Sequence, residues 1–233
     1  MLSNIDIRTL REQTYRAIKD QILNNELLPG HDISIRKLAT DLGISETPVR
    51  EALVMLKVEG LVDYEPHKKP QIANITEEEV RQVYEVRKLI EPYAAGLVIK
   101  GLSSTPRLKE KLMEVDKLAN KIIQTPVEVC EYGEYIGVDL KLNELFLEAI
   151  ENRIFHEVLI LVSSRSMRIR TFVEATSKVK GSHLMHVITQ EHQAIIQAML
   201  QEDLEKAQQR VSHHLLNAEL RTLQEMMKYK RNA

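Results

Sequence analysis

The residues of this sequence best suited to chemistry are carboxylate, amide and imidazole side chains at helical spacing in the C-terminal half. Asp139 and Asn143 are four residues apart, and His192 and His214 each lie on an otherwise apolar helical stripe. Burying such groups is costly unless they are paired, and one divalent ion would satisfy them together. The candidate metal ligands are Asp139, Asn143, His192 and His214. The alternative is a set of hydrogen-bonded core side chains.

A second group of candidate residues lies in and around the stretch ISETPVREAL, residues 44–53. Ser45 and Thr47 offer hydroxyl groups to phosphates, and Arg50 offers a guanidinium to a guanine edge in the major groove of DNA. Further basic residues that can reach the flanking backbone or the minor groove are Arg36, His67, Lys68 and Lys69. The alternative is the solvated surface of a small structural domain.

Helical periodicity predicts three short helices in the N-terminal part. The first spans about 6–24, and the second is IRKLATDL at 35–42, which ends at Gly43. The third holds Pro48 in its first turn, where the missing N–H costs nothing, and ends at Gly60. LVDY and QIANI follow as two short strands joined by a basic turn. This order of elements describes a winged helix-turn-helix.

The remainder of the chain carries no strand pattern and is predicted to be entirely helical. A capped helix begins after Thr76 and ends near Gly101. The later helices are expected at about 106–124, 127–151, 153–175, 183–201 and 203–229. The predicted fold is therefore mostly α, with an N-terminal winged helix-turn-helix in residues 1–75 and an all-α helical bundle in residues 76–233.

The composition is that of a soluble protein, and the net charge does not indicate a nucleic-acid partner. The chain has 233 residues, of which 43% are hydrophobic and 28% charged. It has neither the roughly 18 uninterrupted apolar residues of a membrane span nor the apolar core of a secretory signal, so we expect a cytoplasmic protein that does not contact membranes. The formal net charge is −2. Any contact with DNA must therefore come from the placement of basic residues rather than from bulk charge.

The segment IRKLATDLGISETPVREALVMLKVEGLV resembles the DNA-binding segment of the GntR family of bacterial transcription regulators, without a gap over nearly thirty residues. The resemblance implies operator contacts by Arg36, Thr47 and Arg50, with the hairpin tip in the minor groove. Glu46 stands where the family usually has an arginine that often reads a base, and Lys68 stands where the wing commonly has glycine. A carboxylate in the groove can accept a hydrogen bond from a cytosine amino group. We therefore expect the operator to differ from the family's common site at Glu46.

The C-terminal part resembles FCD, the all-helical ligand-binding domain of the FadR subfamily. The resemblance rests on Asp139, the EN pair ending at Asn152, EHQAII at 191–196, and His214. It implies a divalent metal ion, with Zn, Ni and Mn as the candidates, and a small carboxylate effector. Asn143 occupies the position where the family usually has its first metal-binding histidine. An amide oxygen there shifts the preference toward Mn²⁺-like ions or weakens binding overall.

Arginines in the helical part raise a separate question. Arg87 lies on an apolar stripe, so its guanidinium needs an anion, which Glu91 one turn later can supply structurally. The alternative, suggested by the FCD resemblance, is that Arg87 binds the carboxylate of the effector. A solvated face is predicted for Arg165, Arg168 and Arg170.

These features together predict a metabolite-responsive, sequence-specific transcription regulator, expected to be a repressor and not an enzyme. Because one short recognition helix reads few base pairs, it should bind double-stranded operator DNA as a homodimer on a two-fold symmetric site. One alternative is a metalloenzyme using Asp139, His192 and His214, although the sequence has no nucleophile motif, positioned base or phosphate loop. Another is an architectural DNA-binding protein without an effector.

Overall fold

The computed structural model describes residues 9–65, 68–129, 132–176 and 183–232. The helices of these residues are α1 Leu10–Leu23, α2 Ile35–Leu42, α3 Glu46–Val58, α4 Glu77–Leu102, α5 Pro106–Gln124, α6 Tyr132–Glu148, α7 Arg153–Thr176, α8 His183–Leu200 and α9 Leu204–Asn232. The strands are β1 Val62–Asp63 and β2 Gln71–Ile72. This order confirms the predicted fold, a winged helix-turn-helix followed by an all-helical part.

The chain divides into two compact units. The first contains Met1–Thr76 together with Met167–Phe172, and the second contains Glu77–Ser166 and Val173–Ala233. A capping box between Thr9 and Glu12 begins α1. The core of the first unit is built from apolar residues of α1, α2, α3 and the hairpin, namely Ile18, Ile22, Ile33, Leu38, Ala39, Val49, Ala52, Leu53, Leu56, Leu61, Val62 and Ile72.

The turn between α2 and α3 is made by Gly43, whose φ of 66° lies in the left-handed region that favours glycine. Ser45 is the N-cap of α3, and Pro48 is buried in its first turn. Val49 and Leu53 are fully buried. Because these residues fix the inner face of α3 against the core, the opposite face of the helix is presented to solvent.

The wing is a short antiparallel hairpin in which Val62 pairs with Ile72 and Asp63 with Gln71. A further bridge joins Asp32, just before α2, to Gln71. The hairpin is therefore tied to the start of α2 as well as to the core. The tip residues Pro66 and His67 lie outside the described residues.

In the second unit α4 packs chiefly on α9, α5 on α8 and α6, and α8 on α9. This packing aligns the polar stripes of α6, α8 and α9 so that they share one interior space. Lys88 of α4 donates to Glu219 of α9 at 2.8 Å, and Tyr84 lies 3.4 Å from Thr222 on the same pair of helices. Over the described part of the chain, no helix is long and apolar enough to cross a membrane.

The predicted solvated face is wrong for Arg168. Its side chain is only 1% exposed, and within the first unit its Nη1 donates to the backbone carbonyl of Ala73 at 2.9 Å. A buried guanidinium needs such acceptors, because leaving its donors unsatisfied is costly. Periodicity placed Arg168 on a helix, but it did not show that a segment far away in sequence supplies an acceptor.

Candidate nucleic-acid interface and metal centre

Three predicted metal ligands converge inside the second unit. Asp139 of α6, His192 of α8 and His214 of α9 place one ligand atom each within 4.8 Å of one another. His192 Nε2 lies 3.5 Å from Asp139 Oδ1 and 3.3 Å from His214 Nε2. Both histidines are buried, at 4% and 7% exposure. The centre thus combines two imidazoles and a carboxylate in an enclosed space.

The spacing of the two imidazole nitrogens suits a shared ion. Two nitrogen ligands about 2.05 Å from a tetrahedral zinc lie about 3.3 Å apart, and the Nε2 atoms of His192 and His214 are separated by 3.3 Å. A nitrogen and oxygen donor set of this kind is typical of first-row divalent metals. The residues present therefore fit a divalent metal, with Asp139 as the oxygen ligand.

Glu191 fixes the orientation of His214. It accepts a hydrogen bond from His214 Nδ1 at 2.8 Å, one from Asn217 at 2.9 Å, and two from Arg221 at 2.9 and 2.8 Å. Burial acts to raise the pKa of Glu191, but the hydrogen bonds from Arg221, His214 and Asn217 outweigh it and lower the pKa well below its usual range. Because Nδ1 carries the proton, Nε2 of His214 presents its lone pair to the centre.

Sequence reasoning did not assign this role to Glu191. The available signal was its position directly before His192, which puts the two side chains on different sides of α8. Arg221 and Asn217 follow His214 on α9 at helical spacing, but only the packing of α8 on α9 brings them to Glu191. The network therefore depends on how α8 and α9 are oriented about their own axes, and no local sequence motif predicts it.

Asn143 lies one turn beyond Asp139 on α6 and is half-buried. Its Oδ1 accepts a hydrogen bond from Ser163 Oγ of α7 at 2.8 Å. An amide oxygen has two lone pairs, so one acceptor position is occupied by the serine hydroxyl and one is left for another partner. The role of Asn143 as a metal ligand stays a prediction.

Arg87 of α4 has an internal anion. It pairs with Glu91 at 2.5 Å, donates to Ser166 Oγ at 2.9 Å, and its guanidinium lies 5.1 Å from the ring centre of Tyr84. Burial acts to lower the pKa of Arg87, but Glu91 first, followed by Tyr84 and Asp139, raises it above its ordinary value. Arg87 thus has Glu91 as the anionic partner that a purely structural role requires. The charge of Asp139 also stabilises the charged guanidinium.

In the first unit, the outer face of α3 carries the predicted reading residues. Arg50 Nη2 lies 2.7 Å from Glu46 Oε2, and the two side chains are 53% and 45% exposed. Thr47 is exposed, as is Arg36 on α2. Within the described part of the chain, the side chain of Ser45 makes no capping hydrogen bond to α3. Its hydroxyl is therefore not used to cap the helix.

An open groove of about 750 Å³ runs between α3 and the wing. Its lining includes four basic side chains and one acidic one, namely Arg50, Lys57, Lys68, Lys69 and Glu65. Lys68 pairs with Glu65 at 2.7 Å, and Lys69 lies 3.8 Å from Asp32. His67, which was predicted to join them, lies outside the described residues. The groove thus places four basic side chains beside α3, the predicted recognition helix, and three of them have a carboxylate partner.

A winged helix-turn-helix with a basic groove, followed by a helical bundle enclosing a polar centre, defines a DNA-binding transcription regulator with a ligand-binding domain. Residues 10–68 match the model of the bacterial regulatory proteins of the gntR family, and residues 82–217 match the FCD domain model. The chain belongs to the GntR family of bacterial regulatory proteins, in its FCD-domain branch.

Known relatives align with most of the chain. The chain is 27% identical over 204 residues to YdhC, an HTH-type transcriptional regulator of Bacillus subtilis, covering 87% of this chain and 86% of that protein. It is 23% identical over 206 residues to the HTH-type transcriptional repressor GlaR of Escherichia coli, covering 87% and 90%. Such relatives make the chain a regulator rather than an enzyme.

Solved structures show the same fold. Escherichia coli McbR/YncC superposes with a TM-score of 0.76 at 20% identity, over 94% of this chain and 100% of that one. The Zn²⁺-bound FCD domain of TM0439 superposes with a TM-score of 0.52 at 18% identity, over 67% of this chain and 100% of that one.

Proposed function

We propose that the chain is a homodimeric repressor that binds a two-fold operator, and that a small organic acid, bound together with a divalent metal ion, controls its affinity for DNA. Residues 1–75 serve as the DNA-binding domain, and residues 76–233 as the effector and dimerisation domain. The observation that carries the proposal is the convergence of Asp139, His192 and His214 in the same chain as an exposed recognition helix.

The metal part of the proposal rests on donor chemistry. Asp139, His192 and His214 hold the ion, and Asn143 is a fourth candidate ligand one turn from Asp139. Zinc binds the FCD domain of TM0439. Zn and Ni are candidates here because imidazole ligands favour them over Mg or Ca, and Mn is a candidate because Asp139 and Asn143 offer oxygen ligands. The metal supplies a Lewis-acidic anchor for an anionic ligand.

The effector part of the proposal rests on charge. An organic acid with more than one negatively charged group would bind the metal through one of them and would need a cation for the other. Arg87 offers that cation, and it is close enough to Asp139 for the two charges to interact. Since its guanidinium is already held by Glu91 and Ser166, the side chain is oriented before the effector arrives, which lowers the entropy lost on binding.

Dimerisation follows from what DNA recognition requires, and repression is inferred from a relative. One recognition helix reads too few base pairs for useful specificity. Two DNA-binding domains on successive half-sites multiply their preferences for the correct base pairs. An effector changes DNA affinity only if it binds the DNA-competent and DNA-incompetent arrangements with different affinity. We infer repression from the relative GlaR, which is a repressor. A regulator of this kind acts in the cytoplasm, where bacterial DNA is.

Selection of genomic DNA tests the proposal directly. The purified protein is mixed with sheared genomic fragments, and the bound fragments are sequenced. We expect a small set of fragments that share an inverted repeat, because two identical heads impose two-fold symmetry on the site. Light scattering should give the mass of a dimer. Recovery of fragments without any shared sequence would contradict the proposal and favour an architectural protein.

Replacing Glu191 by glutamine should weaken metal binding by about ten- to a hundredfold, which is the usual loss when a partner that orients a metal-binding histidine is removed. The change keeps the size of the side chain but removes the carboxylate that holds the Nδ1 proton of His214. Titration calorimetry of metal-free protein with Zn²⁺ measures the loss. Glu205→Gln, at an exposed position of α9, is the control, and equal dissociation constants for the two variants would contradict the role of Glu191.

A further inference from the structure

The recognition helix carries an ion pair on its outward face. Arg50 Nη2 donates to Glu46 Oε2 at 2.7 Å across one helical turn. Both side chains are about half exposed, at 53% and 45%, whereas the residues on the opposite side of α3 are fully buried. The pair does not contribute to the core, and it stands where a base edge in the major groove would meet the helix.

The ion pair keeps part of its hydrogen-bonding capacity for DNA. Tyr64, which follows strand β1 at the base of the wing, lines the same groove as Arg50. A guanidinium has five N–H donors, and an ionised carboxylate has about four acceptor positions. The pairing with Glu46 therefore orients Arg50 and still leaves donors on the arginine and acceptors on the glutamate for DNA. This orientation lowers the entropy lost when the helix meets its site.

We propose that Glu46 and Arg50 read one G·C base pair as a unit, and that Glu46 is the residue that sets specificity at this position. The inference rests on the proposed function. In the major groove, guanine presents two acceptors, N7 and O6, and its cytosine partner presents one donor, the N4 amino group. The ion pair offers the complement of this edge, with two N–H donors from Arg50 and one carboxylate acceptor from Glu46.

The other three base pairs fit the pair of side chains poorly. In a C·G pair the order of donors and acceptors is reversed. In an A·T pair the carboxylate of Glu46 meets thymine O4 and the methyl group, and Arg50 meets the adenine amino group instead of a second acceptor. In a T·A pair adenine can donate to the carboxylate, but Arg50 loses an acceptor because the thymine methyl group stands in the place of guanine N7. A carboxylate that loses water without gaining a donor is strongly unfavourable. Glu46 thus acts against wrong sequences as much as it acts for the right one.

The same carboxylate lowers affinity for DNA in general. Non-specific binding is driven by phosphate neutralisation, and Glu46 places a negative charge beside the groove that holds the basic side chains of the wing. Removing the charge should therefore tighten binding to random DNA while relaxing sequence preference. By contrast, removing a basic residue that contacts only phosphate weakens binding to random DNA and leaves sequence preference unchanged. This combination of effects distinguishes a discriminating residue from a simple contact.

The test uses the full-length protein and its operator obtained by selection from random duplexes. Dissociation constants are measured by fluorescence anisotropy at one salt concentration, for operators in which each half-site position carries all four base pairs in turn. For the wild type we expect one position at which G·C is preferred by about ten- to a hundredfold. For Glu46→Gln, in which Arg50 still contacts guanine, we expect that preference to fall by about three- to tenfold and random DNA to bind more tightly.

Two further variants complete the design. Glu51→Gln removes the same charge from an exposed position of the same helix and should keep the wild-type preference. Glu46→Arg should change the preferred base pair at that position rather than abolish specificity. If Glu46→Gln keeps the wild-type profile while Arg50→Ala loses the operator, the inference fails and the proposed function stands. If the wild type selects no operator at all, both fail.

Discussion

Replacing Arg50 by alanine is expected to lower affinity for the operator by about 100- to 10,000-fold without changing the fold. One bidentate contact with guanine contributes about ten- to a hundredfold of discrimination. Because both DNA-binding domains of the proposed dimer engage in a single binding event, the loss applies at each half-site and the two factors multiply. The Arg50 side chain is 53% exposed and takes no part in the core, so its removal leaves no cavity.

The measurement is fluorescence anisotropy with the selected operator and with a random duplex, at several salt concentrations. An arginine that reads a base should lose affinity for the operator but leave the salt dependence nearly unchanged, whereas an arginine bound to phosphate should reduce the salt slope by about one. Arg107→Ala, an exposed arginine at the start of α5 in the second unit, is the control. Circular dichroism and light scattering verify fold and dimer.

An operator affinity within about threefold of the wild type would remove Arg50 from the reading surface. In that case the basic side chains that line the groove, including Lys57, Lys68 and Lys69, would account for binding through phosphates alone. The random duplex separates these cases, since a phosphate-binding surface holds both duplexes about equally well. The proposed sequence-specific function would then lose its main contact.

Much of the fold could be predicted because helix ends carry local signals. The bounds of α2 follow from Ser34, which accepts from Lys37 N–H, and from Gly43 in the left-handed conformation. The start of α5 follows from Pro106. By contrast, α6 was expected from residue 127 but begins at Tyr132. Val127 and Val129 supplied apolar periodicity in a segment that forms a turn, and spacing alone does not separate the two.

The candidate site was predictable to the extent that it depends on helix faces. Periodicity correctly placed Asp139, His192 and His214 on inward stripes, and Glu91 one turn from Arg87. It gave no information on how far each helix rotates about its own axis. The hydroxyl of Ser163 against Asn143, like the arginine at Glu191, depends on that rotation. Such partners are set by packing between distant segments, which a single sequence does not encode locally.

Deleting the imidazole of His214 is expected to abolish stabilisation of the protein by metal. A ligand at a hundred times its dissociation constant stabilises the folded state by about 2.7 kcal/mol. For a protein of this size that corresponds to a rise in Tm of about 5 to 11 °C. Metal-free wild type should show such a rise with at least one of Zn²⁺, Ni²⁺ and Mn²⁺. His214→Ala should show less than about 2 °C, because it loses one of three converging ligands.

His213→Ala provides a matched control on the same helix. His213 is exposed and lies next to His214 in sequence, but its imidazole faces away from the centre, 3.3 Å from Asn217. Both variants lose one imidazole, and they differ in whether the lost ring lies at the buried centre or on the exposed face of α9. The change in Tm on adding metal is compared, rather than Tm itself, because loss of the buried His214 ring also removes a donor to Glu191 and lowers the stability of the metal-free protein.

Differential scanning fluorimetry after chelator treatment and dialysis gives both quantities in one series. A metal-dependent rise that survives in His214→Ala but disappears in His213→Ala would move the site to the surface of α9. No rise in the wild type with any of the three ions would mean that His192 and His214 stabilise the fold only by hydrogen bonding to each other across 3.3 Å. The expected order, a full rise in wild type and His213→Ala and none in His214→Ala, arises only if the ion lies where the three helices meet.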